Sequence, residues 1–423
     1  MLDIKFVRAN PELVRENIRK KYKEHLLPLV DELLQIDEQY RKLLQESESL
    51  RAKRNKVTSE INALKKSGQD ASAQLEEAKR IPLRIKEIED ENAKISDRMT
   101  EILLIIPNIM HSSVPIGKND KENVVVEKIG TPKEFHYEIK NHAEICEKLG
   151  IADFDASGRT TGKGFFFMKG GLAMLNQALI RFGIDYMIKN GYTLVEPPLM
   201  IRKEICNGVV DFNFFKDMVY KIEGEDLYLI GTSEHPLIGM FINQVIDEKD
   251  LPIKLVGYSQ CFRKEIGSHG IDEKGVYRTH QFNKVEQIII CRPEDSYKYY
   301  DELLENSKGI FKALGLPTRV LECCSGDLAD LKAKSCDLEA WSPRKKEYFE
   351  VCSCSNLTDA QARRLNIKVS NGGERYLPHT LNDTAIATSR ALVAILENYQ
   401  NADGSITVPE VLRPYMHGMT VIK

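Results

Sequence analysis

The chain reads as an α+β protein in two parts, and three features predict this. Residues from about 28 to 104 are almost free of Gly and Pro and carry apolar residues at heptad-like spacing. That run is interrupted once by the turn Ser67-Gly68-Gln69-Asp70, after which the spacing resumes. Beyond Pro107, Pro115 and Gly117 the texture changes to short β-branched runs alternating with helical patterns. The first two features predict an antiparallel coiled-coil hairpin, the third a separate mixed domain. The expected division is 1–110 and 111–423.

Residues 1 to about 25 read as a short strand or turn followed by a helix, with Asn10 as its cap and Pro11 in its first turn. Leu33, Ile36, Tyr40, Leu43, Leu50, Val57, Ile61 and Leu64 form the seam of the first arm helix. Leu75, Ala78, Ile81, Ile85, Ile88, Asn92, Ile95, Met99 and Ile102 form that of the second. At 1.5 Å per residue the arm would project on the order of 50 Å. Pro82 predicts a bend, because it removes a backbone donor. The first helix is basic (Arg41, Lys42, Arg51, Lys53, Arg54, Lys56, Lys65, Lys66) and the second acidic (Glu76, Glu77, Glu87, Glu89, Asp90, Glu91, Asp97, Glu101). Further on, Val124–Val126, Lys254–Val256 and Glu286–Ile290 read as strands, and 173–190 as a helix.

At 423 residues, 42% hydrophobic and 29% charged, the chain has room for two or three domains. No apolar stretch reaches membrane-spanning length and Met1–Asn10 lacks the core of a signal peptide, so a cytoplasmic protein is expected. Nine cysteines, scattered from Cys146 to Cys354, argue against a disulfide framework. Cys323-Cys324 and Cys352-Ser353-Cys354 form no paired C-x-x-C knuckles, so no zinc is expected. The net charge of −3 does not announce a nucleic-acid binder; the charge distribution matters more.

Three segments carry chemistry. Cys261-Phe262-Arg263-Lys264-Glu265 and Val276–Glu286 read as two strands around a loop containing Gly267, Gly270 and Gly275. Such a hairpin holds an arginine, an aromatic face and carboxylates over a small area. That set suits a nucleotide with an anionic phosphate, a flat base and a nearby ammonium group. Arg390 falls in the first turns of a helix marked by Leu392, Ile395, Leu396 and Tyr399. The helix dipole disfavours a cation there, which predicts an anionic partner. Gly231-Thr232-Ser233-Glu234 reads as extended, with Thr232 and Glu234 on one face.

Together these segments resemble motifs 2 and 3 of the class II aminoacyl-tRNA synthetases. Glu350-Val351-Cys352-Ser353-Cys354-Ser355-Asn356, Asp359–Ile367, Val408–Tyr415 and the bridge Ile105–Ile109 with Ser113-Val114-Pro115 narrow the resemblance to the seryl-tRNA synthetase family, across essentially the whole chain. Gly191–Pro198 is similar to motif 1, which implies a homodimer. The resemblance implies an antiparallel sheet flanked by helices and ATP-dependent ligation of serine to tRNA(Ser) through seryl-adenylate. It leaves tRNA(Sec) open as a second acceptor.

The resemblance assigns Arg263 and Arg390 as catalytic, gripping the α- and γ-phosphates. Serine would be held by Thr232, Ser233, Glu234, Glu286, Asn382 and Thr384. ATP would meet Arg263, Lys264, Glu265, Thr279, Phe282 (stacked on adenine, with Arg390 near the other face), Glu350, Val351, Cys352, Ser353 and Arg390. Glu350 and Ser353 would hold Mg2+, whose preferred donors are hard oxygens. Arg51, Lys53, Arg54 and Lys56 on the arm would meet tRNA phosphates. His269, His280 and His379 are read as loop or packing residues. The family commonly has Gly at Asp383, Ser at Thr384 and Ser at Cys352; Asp383 would then add charge beside the pocket. Two other readings stay open. One is an enzyme loading amino acids onto a carrier protein, against which stand the arm and the metal-free serine segment. The other is an inactive tRNA-binding scaffold, against which stand Arg263, Glu286, Glu350 and Arg390.

Overall fold

The computed structural model describes residues 1–210, 218–265 and 275–423. Gly267, His269 and Gly270 of the expected loop lie outside the described residues. The chain divides into two compact units, Met1–Ile109 and Met110–Lys423.

The first unit is helical from the start. Where a strand or turn was expected, α1 (Ile4–Ala9) forms, because the Asp3 carboxylate caps it by accepting from the Lys5 amide at 2.7 Å. Pro11 opens α2 (Pro11–Lys20), but Asn10 does not cap it. Its side-chain amide donates back to the Phe6 carbonyl at 3.1 Å and so finishes α1. The arm is α3 (Leu27–Lys66) and α4 (Ser72–Ile105). Leu33, Leu43, Val57 and Ile61 are buried on α3, and Ile81, Ile85, Ile88, Ile95, Met99 and Ile102 on α4. Pro82 lies inside an unbroken α4 at an exposed position, where solvent can take the carbonyl whose donor is lost.

The second unit is organised by an eight-stranded sheet. Its strands are β1 (Val124–Ile129), β2 (Thr193–Val195), β3 (Ile253–Phe262), β4 (Gln281–Cys291), β5 (Thr318–Glu322), β6 (Lys334–Ser342), β7 (Glu347–Asn356) and β8 (His379–Ala387). Their order is β1-β5-β6-β7-β8-β4-β3-β2, antiparallel except for the final β3–β2 pair. Strand alternation splits the side chains between two cores. On one face Val285, Ile289 and Leu381 pack with Leu175 and Leu179 of α5 (Gly170–Lys189), Leu303 and Ile310 of α7 (Ser296–Ala313), and Leu392 and Leu396 of α8 (Thr388–Asn398). On the other, Leu255, Ile288 and Ile290 pack with Leu237 and Ile238 of α6 (Glu234–Gly239). We call the first the helix face and the second the cleft face.

Two register shifts decide which side chains reach the cleft. Leu338 pairs with Cys352 but Glu339 with Glu350, so Val351 is an extra residue in β7. Thr384 pairs with Glu286 but Ile386 with Val285, so Ala385 is extra in β8. Each bulge reverses the alternation of its strand.

One carboxylate in the seam of α3 has no precedent in the apolar pattern. Asp37 is only 2% exposed and accepts from Arg8 at 2.7 and 2.8 Å and from Arg41 at 3.1 Å. Burial would raise its pKa, but the two guanidinium groups outweigh burial and hold it below the ordinary carboxylate range. Its contribution to stability is therefore present above about pH 4, the unfolded value, and lost as pH falls through the lower folded value. Asp37→Ala should cost about 1–3 kcal/mol and flatten that acid limb. Urea unfolding of the full chain at pH 7 and pH 3 checks both, and an unchanged acid limb would contradict the assignment.

Candidate functional site

The cleft face of the central strands gathers polar groups at one end. Lys284 and Glu286 are two apart on β4, so both point into the cleft. They form an ion pair, with the Glu286 side chain 2% exposed. Cross-strand pairing puts Thr384 opposite Glu286, and Asn382 follows on the same face of β8, opposite Ile288. Asp383, between them, points the other way. It is fully buried on the helix face, where the Gln287 amide donates to it at 3.2 Å and the Ser307 hydroxyl lies 2.5 Å from it. The expectation that Asp383 adds charge beside the pocket is thus incorrect, because strand neighbours face opposite sides.

The Thr232–Glu234 segment also departs from expectation: it is a turn entering a helix instead of a strand. Glu234 is the first residue of α6, where the helix dipole favours a carboxylate. The turn still ties the two residues, the Glu234 backbone amide donating to the Thr232 hydroxyl at 3.3 Å. That hydroxyl donates to Glu286 at 3.2 Å and receives Lys284 at 3.4 Å. Ser233 does not join them. Its hydroxyl donates to the Gly257 carbonyl at 3.2 Å, and a Cβ at Gly257 would stand 2.7 Å from it, so a bare backbone is required there. The Gln361 amide donates to Glu234 at 2.8 Å. Burial, reinforced by the charge of Glu286, pushes Glu234 up to about 7.

The expected hairpin is shorter than its sequence suggests. β3 stops at Phe262 and β4 begins at Gln281, leaving Arg263–Glu265 and Gly275–His280 irregular. Their backbones are nevertheless tied. The Arg263 amide donates to the His280 carbonyl at 2.9 Å, and the His280 ring meets the Arg263 carbonyl at 2.9 Å. Arg263 is thereby held with its Nε 3.2 Å from the Gly231 carbonyl and its guanidinium carbon 5.3 Å from the centre of the Phe282 ring. Thr279 uses its hydroxyl on the Gln281 carbonyl at 3.0 Å. The Lys264 amide donates to the Met218 carbonyl at 2.8 Å. Glu265 has φ +47°, a conformation uncommon for a residue with a side chain, and its carboxylate lies 3.9 Å from Arg278.

Arg390 has the anion its helix position predicts. It sits 2.9 Å from the Glu350 carboxylate and donates to the Glu350 carbonyl at 3.1 Å, with the Tyr277 ring 5.7 Å away. Burial would raise the Glu350 pKa, but Arg390 leads a set of cations, Arg263 among them, that keep it low. The charges of both arginines therefore act on one carboxylate, which only Arg390 is seen to contact. The bulge at Val351 sends Val351 and Cys352 together into the helix-face core and puts Glu350 and Ser353 together in the cleft. Cys352 donates its thiol to the Ala385 carbonyl at 3.8 Å, so Val351 and Cys352 offer the cleft backbone only. Ser353 faces Asp337 across the β6–β7 pair, with the Lys332 ammonium 3.4 Å from its hydroxyl. Asp337 is pushed to about 7 by burial and then by the charge of Glu350. All nine cysteines are free and buried.

Sequence reasoning missed Lys284, Lys332, Asp337, Tyr277 and Gln361. Only Lys284 had a signal, its two-residue spacing from Glu286; the others need the register or the tertiary fold. The assembled cleft has one end with Glu234 near the Glu286–Lys284 pair, for an ammonium. Its other end has two arginines and an aromatic face, for phosphates and a base. Since the charge of Glu286 helps to raise Glu234, Glu286→Gln should bring the Glu234 midpoint down from about 7 toward the ordinary range. A 13C carboxyl titration reads this directly; an unmoved midpoint would mean the two do not interact.

Residues 1–110 match the family model of the seryl-tRNA synthetase N-terminal domain, and residues 218–399 that of the class II core domain of the G, H, P, S and T synthetases. The serine–tRNA ligase of Methanoregula boonei is 48% identical over 420 residues, covering 99% of each chain, and that of Methanocorpusculum labreanum 49% over 422. Among solved structures, seryl-tRNA synthetase from Pyrococcus horikoshii, complexed with ATP, superposes with a TM-score of 0.96 at 41% identity, covering 100% of this chain and 99% of that one. The cytoplasmic enzyme of Naegleria fowleri with AMP gives 0.91 at 34%, with the same coverage. With its two-unit architecture and whole-length similarity, the chain belongs to the seryl-tRNA synthetase family.

Proposed function

We propose that the cleft activates serine with ATP and passes it to tRNA(Ser). The carboxylate of serine attacks the α-phosphorus of ATP and expels pyrophosphate. A ribose hydroxyl at the tRNA 3′ end then attacks the mixed anhydride and releases AMP. The observation that carries this reading is the half-buried Glu234 beside the buried Glu286, with Lys284 as resident counter-ion of Glu286 and the Thr232 hydroxyl bonded to both Glu286 and Lys284. Two carboxylates and one lysine leave a negative charge that the ammonium of an amino acid would satisfy. Thr384 and Asn382 line the same face and supply polar partners for the serine hydroxyl. A site built to bond a hydroxyl leaves buried polar groups unpaired with alanine, and so rejects it.

Arg263 would bridge the α-phosphate and the serine carboxylate, a planar donor set matching both. Phe282 would stack on adenine, and Arg390 would take the γ-phosphate on exchange from Glu350. Such a reaction needs positioned cations more than an acid or base. Magnesium prefers hard oxygen donors, and Glu350 and Ser353 would hold it, with Asp337 adding a carboxylate across from Ser353. When bound, the ion would neutralise phosphate charge; Glu350, freed from Arg390, would hold it.

On the arm, Arg51 pairs with Glu89 at 2.8 Å, Lys53 pairs with Glu77, and Lys56 lies 4.0 Å from Glu60. Arg54 makes no ion pair among the described residues. The expected tRNA-binding cations are thus partly engaged, but exposed pairs are worth about 0–1 kcal/mol and exchange readily for phosphates. We place a homodimer contact at motif 1, where Ile188, Leu199 and Met200 are exposed beside the edge strand β2. No helix among the described residues is long and apolar enough to cross a membrane, which suits a cytoplasmic enzyme.

ATP–pyrophosphate exchange with serine, alanine, threonine and glycine tests the reading; exchange that does not favour serine overturns it. Arg263→Ala should nearly abolish exchange, and unchanged kinetics would remove its phosphate role. Deleting residues 41 to 95 should leave exchange intact while tRNA charging falls sharply, and normal tRNA affinity would show the arm misread. Ionised Glu234 attracts an ammonium and its protonated form does not. The KM for serine should therefore fall as pH rises through about 7, and a flat profile would contradict the role of Glu234.

A further inference from the structure

The strand that carries Asn382 and Thr384 also holds the buried Asp383, and its surroundings are specific. The Ser307 hydroxyl lies 2.5 Å from Asp383 Oδ2 and 3.0 Å from the Thr384 carbonyl. The Gln287 amide nitrogen is 3.2 Å from Asp383 Oδ2, 2.9 Å from Ser307 Oγ and 3.0 Å from the Leu303 carbonyl. Asn306 donates to the Gln287 carbonyl oxygen at 3.0 Å and approaches the Tyr192 hydroxyl at 3.3 Å. The direct hydrogen-bond partners of Asp383 here are neutral, and burial pushes its carboxyl well above the ordinary range, favouring the protonated form.

The donor count fits that form. Ser307 has one proton. If it goes to the Thr384 carbonyl, the short contact to Asp383 Oδ2 requires the proton to come from the carboxyl. The chain of bonds then runs Asp383 to Ser307 to Thr384. Thr384 is the residue at which β8 bulges, with Ala385 extra, and its side chain stands across from Glu286. A bulge weakens the local ladder, so the backbone there needs another hold, and Ser307 on α7 supplies it.

We propose that Asp383 is a positioning residue of the amino-acid pocket, holding the bulged Thr384 backbone through Ser307 so that the Thr384 hydroxyl is set beside Glu286. The proposal rests on the reading that this pocket takes serine. Asp383 touches no substrate; it acts from behind the sheet. Gln287 lies beside Glu286 on β4 and shares Asp383 as a partner, so one network fixes both strands that frame the pocket.

The experiment is ATP–pyrophosphate exchange by the full chain, with KM measured separately for serine and ATP. Wild type must first show serine-dependent exchange; its absence would sink the function itself, not this inference. Asp383→Ala should raise the KM for serine about tenfold, the equivalent of one buried hydrogen bond, with the KM for ATP unchanged. Asp383→Asn, whose amide can donate where the acid did, should recover to within about threefold of wild type. Should Asp383→Ala not fold, Ser307→Ala carries the test, and it should show the same selective rise. Where all variants fold, the double variant should add nothing to either single one. An unchanged serine KM in a folded variant, equal rises for serine and ATP, or no recovery in Asp383→Asn would overturn the proposal.

Discussion

The site is built around an electrostatic imbalance: Glu286 is buried on the sheet beside Lys284, and Glu234, half-buried at the start of α6, stands close enough for the charge of Glu286 to raise its pKa. Isolated buried charge is costly, and the protein answers in three ways. Lys284 pairs with Glu286, Gln361 donates to Glu234, and Glu234 keeps a pKa of about 7 so that it can remain protonated. None of these removes the imbalance completely. What remains is a preformed demand for a cation, and a small ammonium with a hydroxyl meets it without a large rearrangement.

The opposite end of the cleft is organised by the inverse problem. Arg390 enters at the start of a helix, where the dipole opposes it, and Glu350 compensates. Arg263 lies close enough for its charge to reach the same carboxylate. A triphosphate would bring the negative charge that lets Arg390 exchange Glu350 for phosphate oxygens. Selectivity for the amino acid and grip on the nucleotide thus use the same device, a resident counter-ion that the substrate replaces or supplements.

Much of this was legible in the sequence where chemistry is local. The heptad seam located α3 and α4, and the residues around Arg263, Glu286, Glu350 and Arg390 carried the family resemblance. What was not legible depends on strand phase and register. Thr232 and Glu234 suggested a strand because a two-residue spacing looks alike in a strand and in a helix-entering turn. Asp383 seemed to stand beside the pocket because it lies between Asn382 and Thr384 in the chain, but strand alternation turns it to the opposite face of β8. The bulge at Val351, which joins Glu350 to Ser353 and withdraws Cys352, is visible only once β6 and β7 are paired. Asp37 and Asp337 were missed because carboxylates drawn from water are recognisable only with their neighbours, Arg8 and Ser353, in place.

The central claim is that serine is held by its ammonium between Glu234 and Glu286 while its activated end faces Arg263. A crystal structure with a non-hydrolysable seryl-adenylate analogue tests it directly. The account predicts the ammonium within hydrogen-bond distance of Glu286 and Glu234, adenine against Phe282, and Arg263 on the phosphate surrogate. An analogue whose ammonium points to solvent, or whose amino-acid end lies away from β4 and β8, would contradict it.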